Sequence, residues 1–213
     1  MSQHLPPGAY RREDEVPDAE FYREARLVTH IDEGATAAVT QLYREHFPAG
    51  GAVLDLMSSW VSHLPVEAGY RRVAGLGMNA EELRANPQLS EWVVHDLNRD
   101  PRLPYGAAEF DGAAICVSVD YLTQPVNVLQ DTARVLRPGA PLVISFSNRC
   151  FPTKAIAAWL QMDDAGHVAL VAQWMREAGT WDDITAHDRS PRQGDPLYAV
   201  VGRASPSFQT SAP

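Results

Sequence analysis

Four places in this sequence hold side chains suited to chemistry. His63, in SSWVSHLP, has an unperturbed pKa near neutrality and can take or return a proton at physiological pH. Asp120 and Tyr121 are neighbours in SVDYL, where a carboxylate beside a phenol can act as a base or orient a substrate. Asn148, Arg149 and Lys154, in FSNRCFPTK, concentrate donors: Arg can grip a carboxylate or phosphate with two parallel bonds, and Lys can hold one as a point charge. The two cysteines, Cys116 in an apolar run and Cys150 beside Arg149, lack metal-ligand and disulfide-framework spacing and read as free thiols. Each candidate also has a plainer role. His63 can be a structural hydrogen-bonder, Tyr121 can pack on a following helix, Arg149 can pair with a surface acid and Lys154 can be solvated. No Walker loop, GxSxG elbow, CxxC pair or HExxH is present, and Asp163 with Asp164 reads as a helix cap, so no metal is implied.

These residues need a frame. Short, nearly continuous apolar runs at residues 52–57, 72–76, 92–94, 110–117 and 141–146 read as strands buried on both faces of a parallel sheet. Between and around them, apolar positions return at helical spacing. Val39, Leu42, Tyr43 and Phe47 mark a helix over 32–47; Leu129, Ala133 and Leu136 mark one over 126–136, stopped by Arg137, Pro138 and Gly139. Further helices fall near 154–160 and over 164–178, the latter ended by Gly179, and two closing strands fall near 181–186 and 197–201. Strand and helix alternation of this kind predicts an α/β fold: a Rossmann-like, doubly wound, seven-stranded sheet, mostly parallel with an antiparallel strand near the C-terminus. In such sheets ligands bind beyond the carboxyl ends of the strands, near the switch point.

The chain of 213 residues, 45% hydrophobic, can bury one substantial core. Residues 1–25 are rich in Pro, Arg, Glu and Asp and read as a flexible segment or lid, residues 26–204 as the domain, and residues 205–213 as a frayed tail. A formal net charge of -9 without any basic run leaves no footprint for nucleic acid or an anionic membrane, and no apolar run approaches the ~20 residues needed to span a bilayer. A cytoplasmic protein, with a homodimer left open, is the expectation.

The ordered segments VLDLMSSW, VAGLGMN, VVHDLN, FDGAAICVSVDYL and ARVLRPGAPLVISFSN resemble the successive motifs of class I S-adenosylmethionine-dependent methyltransferases, in the type 11, ubiquinone-biosynthesis-like group. The resemblance covers roughly residues 51–146. It implies S-adenosylmethionine as cofactor, with the methionine portion and ribose approaching Asp55, Met57, Ser58 and Ser59, the ribose at Gly77 and Asn79, the adenine at Asp96 and Leu97, and the methionyl end at Ser118. Two departures stand out. Met57, Ser58 and Ser59 occupy a turn where the family has glycines, and Gly77 occupies the place of the acid that accepts the ribose hydroxyls. Ser58 and Ser59 can bond the cofactor or simply cap a helix; Asn79 can reach the ribose or sit in a surface turn; Asp96 can reach the adenine or close an Asx-turn.

Methyl transfer from a sulfonium is a displacement on an already activated reagent, so a protein supplies position, desolvation and a base where the acceptor needs one. His63, Asp120 and Tyr121 are the candidates for that chemistry; Asn148, Arg149 and Lys154 are candidates for holding a small-molecule methyl acceptor. Tyr10, Phe21, Tyr22 and His30 are placed to close over the pocket. The rival reading is a methyltransferase-like protein that has lost the cofactor and serves as an interaction or regulatory partner. A nucleotide-dependent oxidoreductase would need GxGxxG after the first strand, and MSSWVS is not that.

Overall fold

The computed structural model describes residues 5–206. Seven strands form one sheet: β1 Ala52–Leu56, β2 Arg72–Gly77, β3 Glu91–Val94, β4 Gly112–Cys116, β5 Pro141–Phe146, β6 Trp181–Asp188 and β7 Tyr198–Ala204. The order is β3-β2-β1-β4-β5-β7-β6, and β7 runs antiparallel to both of its neighbours while β1 to β5 pair in parallel. The chain therefore leaves β1 toward β2 and β3 on one side and returns to β4 on the other. The switch point lies between β1 and β4, where adjacent strands send their connections in opposite directions and open a crevice at their carboxyl ends.

Among the described residues, six α-helices accompany the sheet: α1 Asp18–Phe21, α2 Glu33–His46, α3 Ala80–Ala85, α4 Pro125–Val135, α5 Ala157–Leu160 and α6 Asp164–Ala178. Strand alternation assigns them to two faces. Leu54 and Leu56 point into a cluster with Leu129 of α4 and Trp174 of α6, while Val53 and Val143 point into a second cluster with Val39 and Leu42 of α2. Local chemistry fixes the helix ends. Asp32 and Asp163 accept the Ala35 and Gly166 amides at the starts of α2 and α6, and Gly179 ends α6 in the left-handed region, where a side chain would cost energy. No described helix is long and apolar enough to cross a membrane.

Residues 5–31 form a strap that crosses the carboxyl edge of the sheet. The Ala9 and Arg11 carbonyls accept the Ala158 and Ala157 amides, and the Asp14 amide donates to the Thr153 carbonyl. Further on, Asn79 donates to the Tyr22 and Arg23 carbonyls, the Arg26 amide donates to Glu82, and the Trp60 indole donates to the Val28 carbonyl. The strap is thus tied to the loops following β1, β2 and β5. Main-chain bonds hold its first half and side-chain bonds its second, while Ala9 and Ile31 anchor it in the two core clusters. Of the tail, the Ser205 amide bonds the Thr180 carbonyl; residues 207–213 lie outside the described residues.

Candidate active site

Beneath the strap, a cavity of about 340 Å³ opens at the ends of β1, β2, β3 and β4. Its floor is the turn after β1. Met57 has φ 55°, His63 φ 54°, and Val117, after β4, φ 43°; all three line the cavity. Left-handed backbone at a methionine and at a β-branched valine is costly and persists only where surrounding structure enforces it. Met57 thus adopts at a family glycine position a backbone that glycine would adopt without strain.

The structure explains the second departure as well. The Ser58 amide donates to the Leu76 carbonyl, which draws the turn onto the end of β2. A Cβ added at Gly77 would lie 2.2 Å from the Ser58 carbonyl oxygen. The place that the family gives to a ribose-binding carboxylate is filled by this chain's own backbone, and only glycine fits there. Asn79 is also committed: its oxygen accepts the Glu81 and Glu82 amides at the start of α3, and its nitrogen holds the strap. It lines the cavity, but its amide hydrogens are already engaged away from a ribose.

The serine hydroxyls are engaged too, which corrects their expected role as donors to a cofactor. Ser58 Oγ and Ser62 Oγ donate to the same Asp55 oxygen at 2.5 and 2.6 Å, and Ser59 Oγ donates to Glu82 at 2.6 Å. Burial pushes the Asp55 carboxyl up to about 6, with the two serine bonds opposing the shift. At the end of β3, Asp96 accepts the Asn98 and Arg99 amides through one oxygen, so it closes a turn and lines the cavity at once. Leu97 supplies apolar wall beside it. Ser118 is different. Its buried Oγ lies on a cavity-lining residue and has no hydrogen-bond partner among the described residues. A buried hydroxyl is normally satisfied, so one without a partner on a cavity-lining residue is a candidate to meet a ligand atom.

Among the candidate chemical groups the cavity gathers His63, Tyr121 and Arg149 and leaves out Asp120, Asn148 and Lys154. Burial lowers the His63 pKa, and His30 across the cavity lowers it further. Tyr121 stacks on Phe151 with ring centroids 5.9 Å apart, and its hydroxyl accepts the Phe151 amide; burial holds that phenol well above its usual range. Asp120 is only 2% exposed and has one oxygen without a partner, and burial pushes its carboxyl up to about 8. It lies behind the wall, away from a substrate. Arg149 pairs with Asp195 at 2.8 Å and is 61% exposed, a surface ion pair at the cavity margin.

Lys154 is the clearest correction. Expected to hold substrate or to be solvated, it is fully buried and fastens the strap. Its Nζ donates to the Val16 carbonyl at 2.5 Å and the Asp14 carbonyl at 3.2 Å, and lies 3.3 Å from Asp18 and 3.4 Å from the Asp14 carboxylate. Arg12 and Asn98 complete the shell around Asp18. An ammonium removed from water needs all these oxygens. Sequence reasoning missed Arg26, Glu82 and Trp60, which line the cavity. Their signal was weak, since a hydrophilic N-terminal segment and an acidic helix start carry no spacing that points to a common pocket.

The donor set can be tested against S-adenosylmethionine. The open Ser118 hydroxyl, the apolar wall of Leu97 and Leu122, and Asp96 at the end of β3 suit an adenosyl group bearing polar edges, and Glu82 presents a carboxylate on the same cavity wall as the occluded Gly77 position. The residues present fit the group.

Comparison with known proteins agrees. Residues 51–144 match the family model of a methyltransferase domain, Methyltransf_11. No curated protein matches the sequence. Among solved structures, the fold is similar to the cyclase SpnF, with TM-score 0.59 and 14% identity over 85% of this chain and 89% of that one. It is also similar to a putative methyltransferase from Haloferax volcanii seen in complex with a methyltransferase activator, with TM-score 0.59 and 15% identity over 81% and 91%. An S-adenosylmethionine-dependent methyltransferase from Mesorhizobium loti gives TM-score 0.55 and 15% identity over 78% and 97%. The matched region is similar to a methyltransferase domain, and the solved structures share its fold.

Proposed function

With that domain as premise, we propose that this chain methylates a small molecule bound in the cavity under the strap. The observation that carries the reading is the unpartnered Ser118 hydroxyl on a residue lining the cavity at the β1/β4 switch point. S-adenosylmethionine, when bound, supplies a methyl group whose bond to sulfur breaks as its bond to the acceptor forms. Asp96, Leu97 and Ser118 would hold its adenosyl and methionyl parts, and Glu82 takes over the ribose side that Gly77 cannot serve. His63 is the proton acceptor: its lowered pKa keeps the imidazole neutral at pH 7, the form that can take a proton from an acceptor hydroxyl, thiol or activated carbon. Tyr121, Phe151 and Trp60 give the acceptor flat, water-excluding walls. The ubiquinone-biosynthesis-like grouping, a cytoplasmic location and a homodimer belong to the same proposal. So do the absence of nucleic-acid and membrane partners and the division into a strap, a domain from residue 26 to 204 and a short tail.

One observation favours the rival, a cofactor-free partner protein: the Ser58 carbonyl fills the site of the family's ribose carboxylate. Calorimetric titration with S-adenosylmethionine and S-adenosylhomocysteine separates the two. Micromolar binding of both, weakened by Asp96→Ala, supports the enzyme; a folded protein that binds neither is the partner protein.

A further inference from the structure

Arg26 lines the cavity, and its guanidinium makes no ion pair among the described residues, although the Glu82 carboxylate accepts its main-chain amide. Arg26 sits on the strap with its guanidinium carbon 4.6 Å from the Phe21 ring centroid and 5.4 Å from that of Phe151. Its Nη2 donates to the Phe21 carbonyl, its main-chain amide donates to Glu82, and its Nη1 is buried without a partner among the described residues. The two cations beside it are committed elsewhere, Arg149 to Asp195 and Lys154 to the strap clamp. A guanidinium stacked on rings still has in-plane donors, and with Nη2 engaged the buried, unpaired Nη1 is costly unless a ligand atom meets it. Charge and shape agree: rings flank the cation, so the ligand matching both is a planar group carrying an anion.

We infer that Arg26 is the anion-binding residue for the methyl acceptor, and that the acceptor is a small aromatic or conjugated molecule bearing a carboxylate. The inference rests on the methyltransferase reading of the cavity. Arg26 takes the carboxylate, the stacked Phe151–Tyr121 pair borders the flat body, and His63 lines the same cavity as the base. Acceptors of equal shape without the charge leave the Arg26 edge unpaired and bind more weakly.

Benzoate and benzamide are the probes, titrated by nuclear magnetic resonance with and without saturating S-adenosylhomocysteine, against the wild type, Arg26→Gln and Arg26→Lys. The expected result is binding of benzoate about ten-fold or more tighter than benzamide, a preference abolished in Arg26→Gln and partly kept in Arg26→Lys. S-adenosylhomocysteine affinity stays the same in all three, and circular dichroism shows them folded. Equal binding of the two probes, no benzoate binding at millimolar concentration, or an unchanged preference in Arg26→Gln overturns the inference. Loss of S-adenosylhomocysteine affinity in Arg26→Gln with benzoate unaffected also overturns it, by assigning Arg26 to the cofactor's carboxylate. If S-adenosylhomocysteine does not bind the wild type, the methyltransferase reading fails, while the benzoate contrast still decides whether Arg26 is an anion site.

Discussion

Two cations on opposite sides of one strap behave in opposite ways. Around Lys154, every nearby oxygen is turned inward: two carbonyls and two carboxylates surround the ammonium, and Arg12 and Asn98 close the ring on Asp18. Around Arg26, rings flank the guanidinium, the Glu82 carboxylate accepts the main-chain amide, and one buried nitrogen has no partner among the described residues. The clamp is a structural device whose charges pair with one another, although Arg12 Nε is buried without a partner among the described residues. The cavity wall, with Arg26 and Ser118 both unsatisfied, leaves its polar groups to be completed by a ligand. Residue type alone does not distinguish them; the ion pairs do, since Lys154 makes two and Arg26 makes none among the described residues.

The contrast can be broken at the clamp most violently. Lys154→Ala removes the buried donor of the Val16 and Asp14 carbonyls and leaves Asp18 with Arg12 and Asn98; it should cost about 3–5 kcal/mol, read by chemical denaturation, with loss of hydrogen-exchange protection concentrated in residues 9–31. A protein as stable as the wild type would show that the clamp is decorative.

Asp120 tests the boundary between the regions, because it is buried behind the wall with no counter-charge. Its raised folded pKa means that the folded state favours the protonated form. This contribution is fully present below about pH 4 and is lost as pH rises toward about 8. The wild type should therefore lose stability across that window, on the order of a few kcal/mol, relative to Asp120→Asn. Parallel stability profiles for the two proteins would show that Asp120 is solvated or paired.

On the cavity side, Gly77→Asp restores the family's acid yet drives a Cβ into the Ser58 carbonyl. It should destabilise by about 1–3 kcal/mol and weaken S-adenosylhomocysteine binding instead of improving it. Tighter binding would mean that the turn yields. The smallest effect belongs to Ser118→Ala. Its hydroxyl has no protein partner, so unfolding free energy should not fall, while S-adenosylhomocysteine affinity drops by about five-fold, near 1 kcal/mol.

Much of the frame was legible because burial leaves a pattern. The run at 141–146 matches β5, the helical spacing over 164–178 matches α6, and the expected antiparallel strand near the C-terminus is β7. The run at 110–117 was too long by a few residues, since Phe110 is apolar and forms only an isolated bridge with Leu136 before β4 begins. α1 and α3, of four and six residues, are too short to show a period. The pocket was legible where strand ends define it, at Asp55, Asp96 and Ser118. It was illegible where the strap does, because Arg26, Glu82 and Lys154 acquire their roles from partners more than 50 residues away in sequence. Lys154 looked like a substrate ligand because no sequence pattern announces a buried ammonium.

The central claim is that this cavity is an S-adenosyl site despite its altered turn. A crystal structure of the protein grown with S-adenosylhomocysteine tests it most directly. The account predicts density for the ligand beneath the strap, with Asp96 beside the adenine and Ser118 Oγ within hydrogen-bond distance. Density lodged elsewhere, or an empty cavity at saturating ligand in a folded protein, would contradict it.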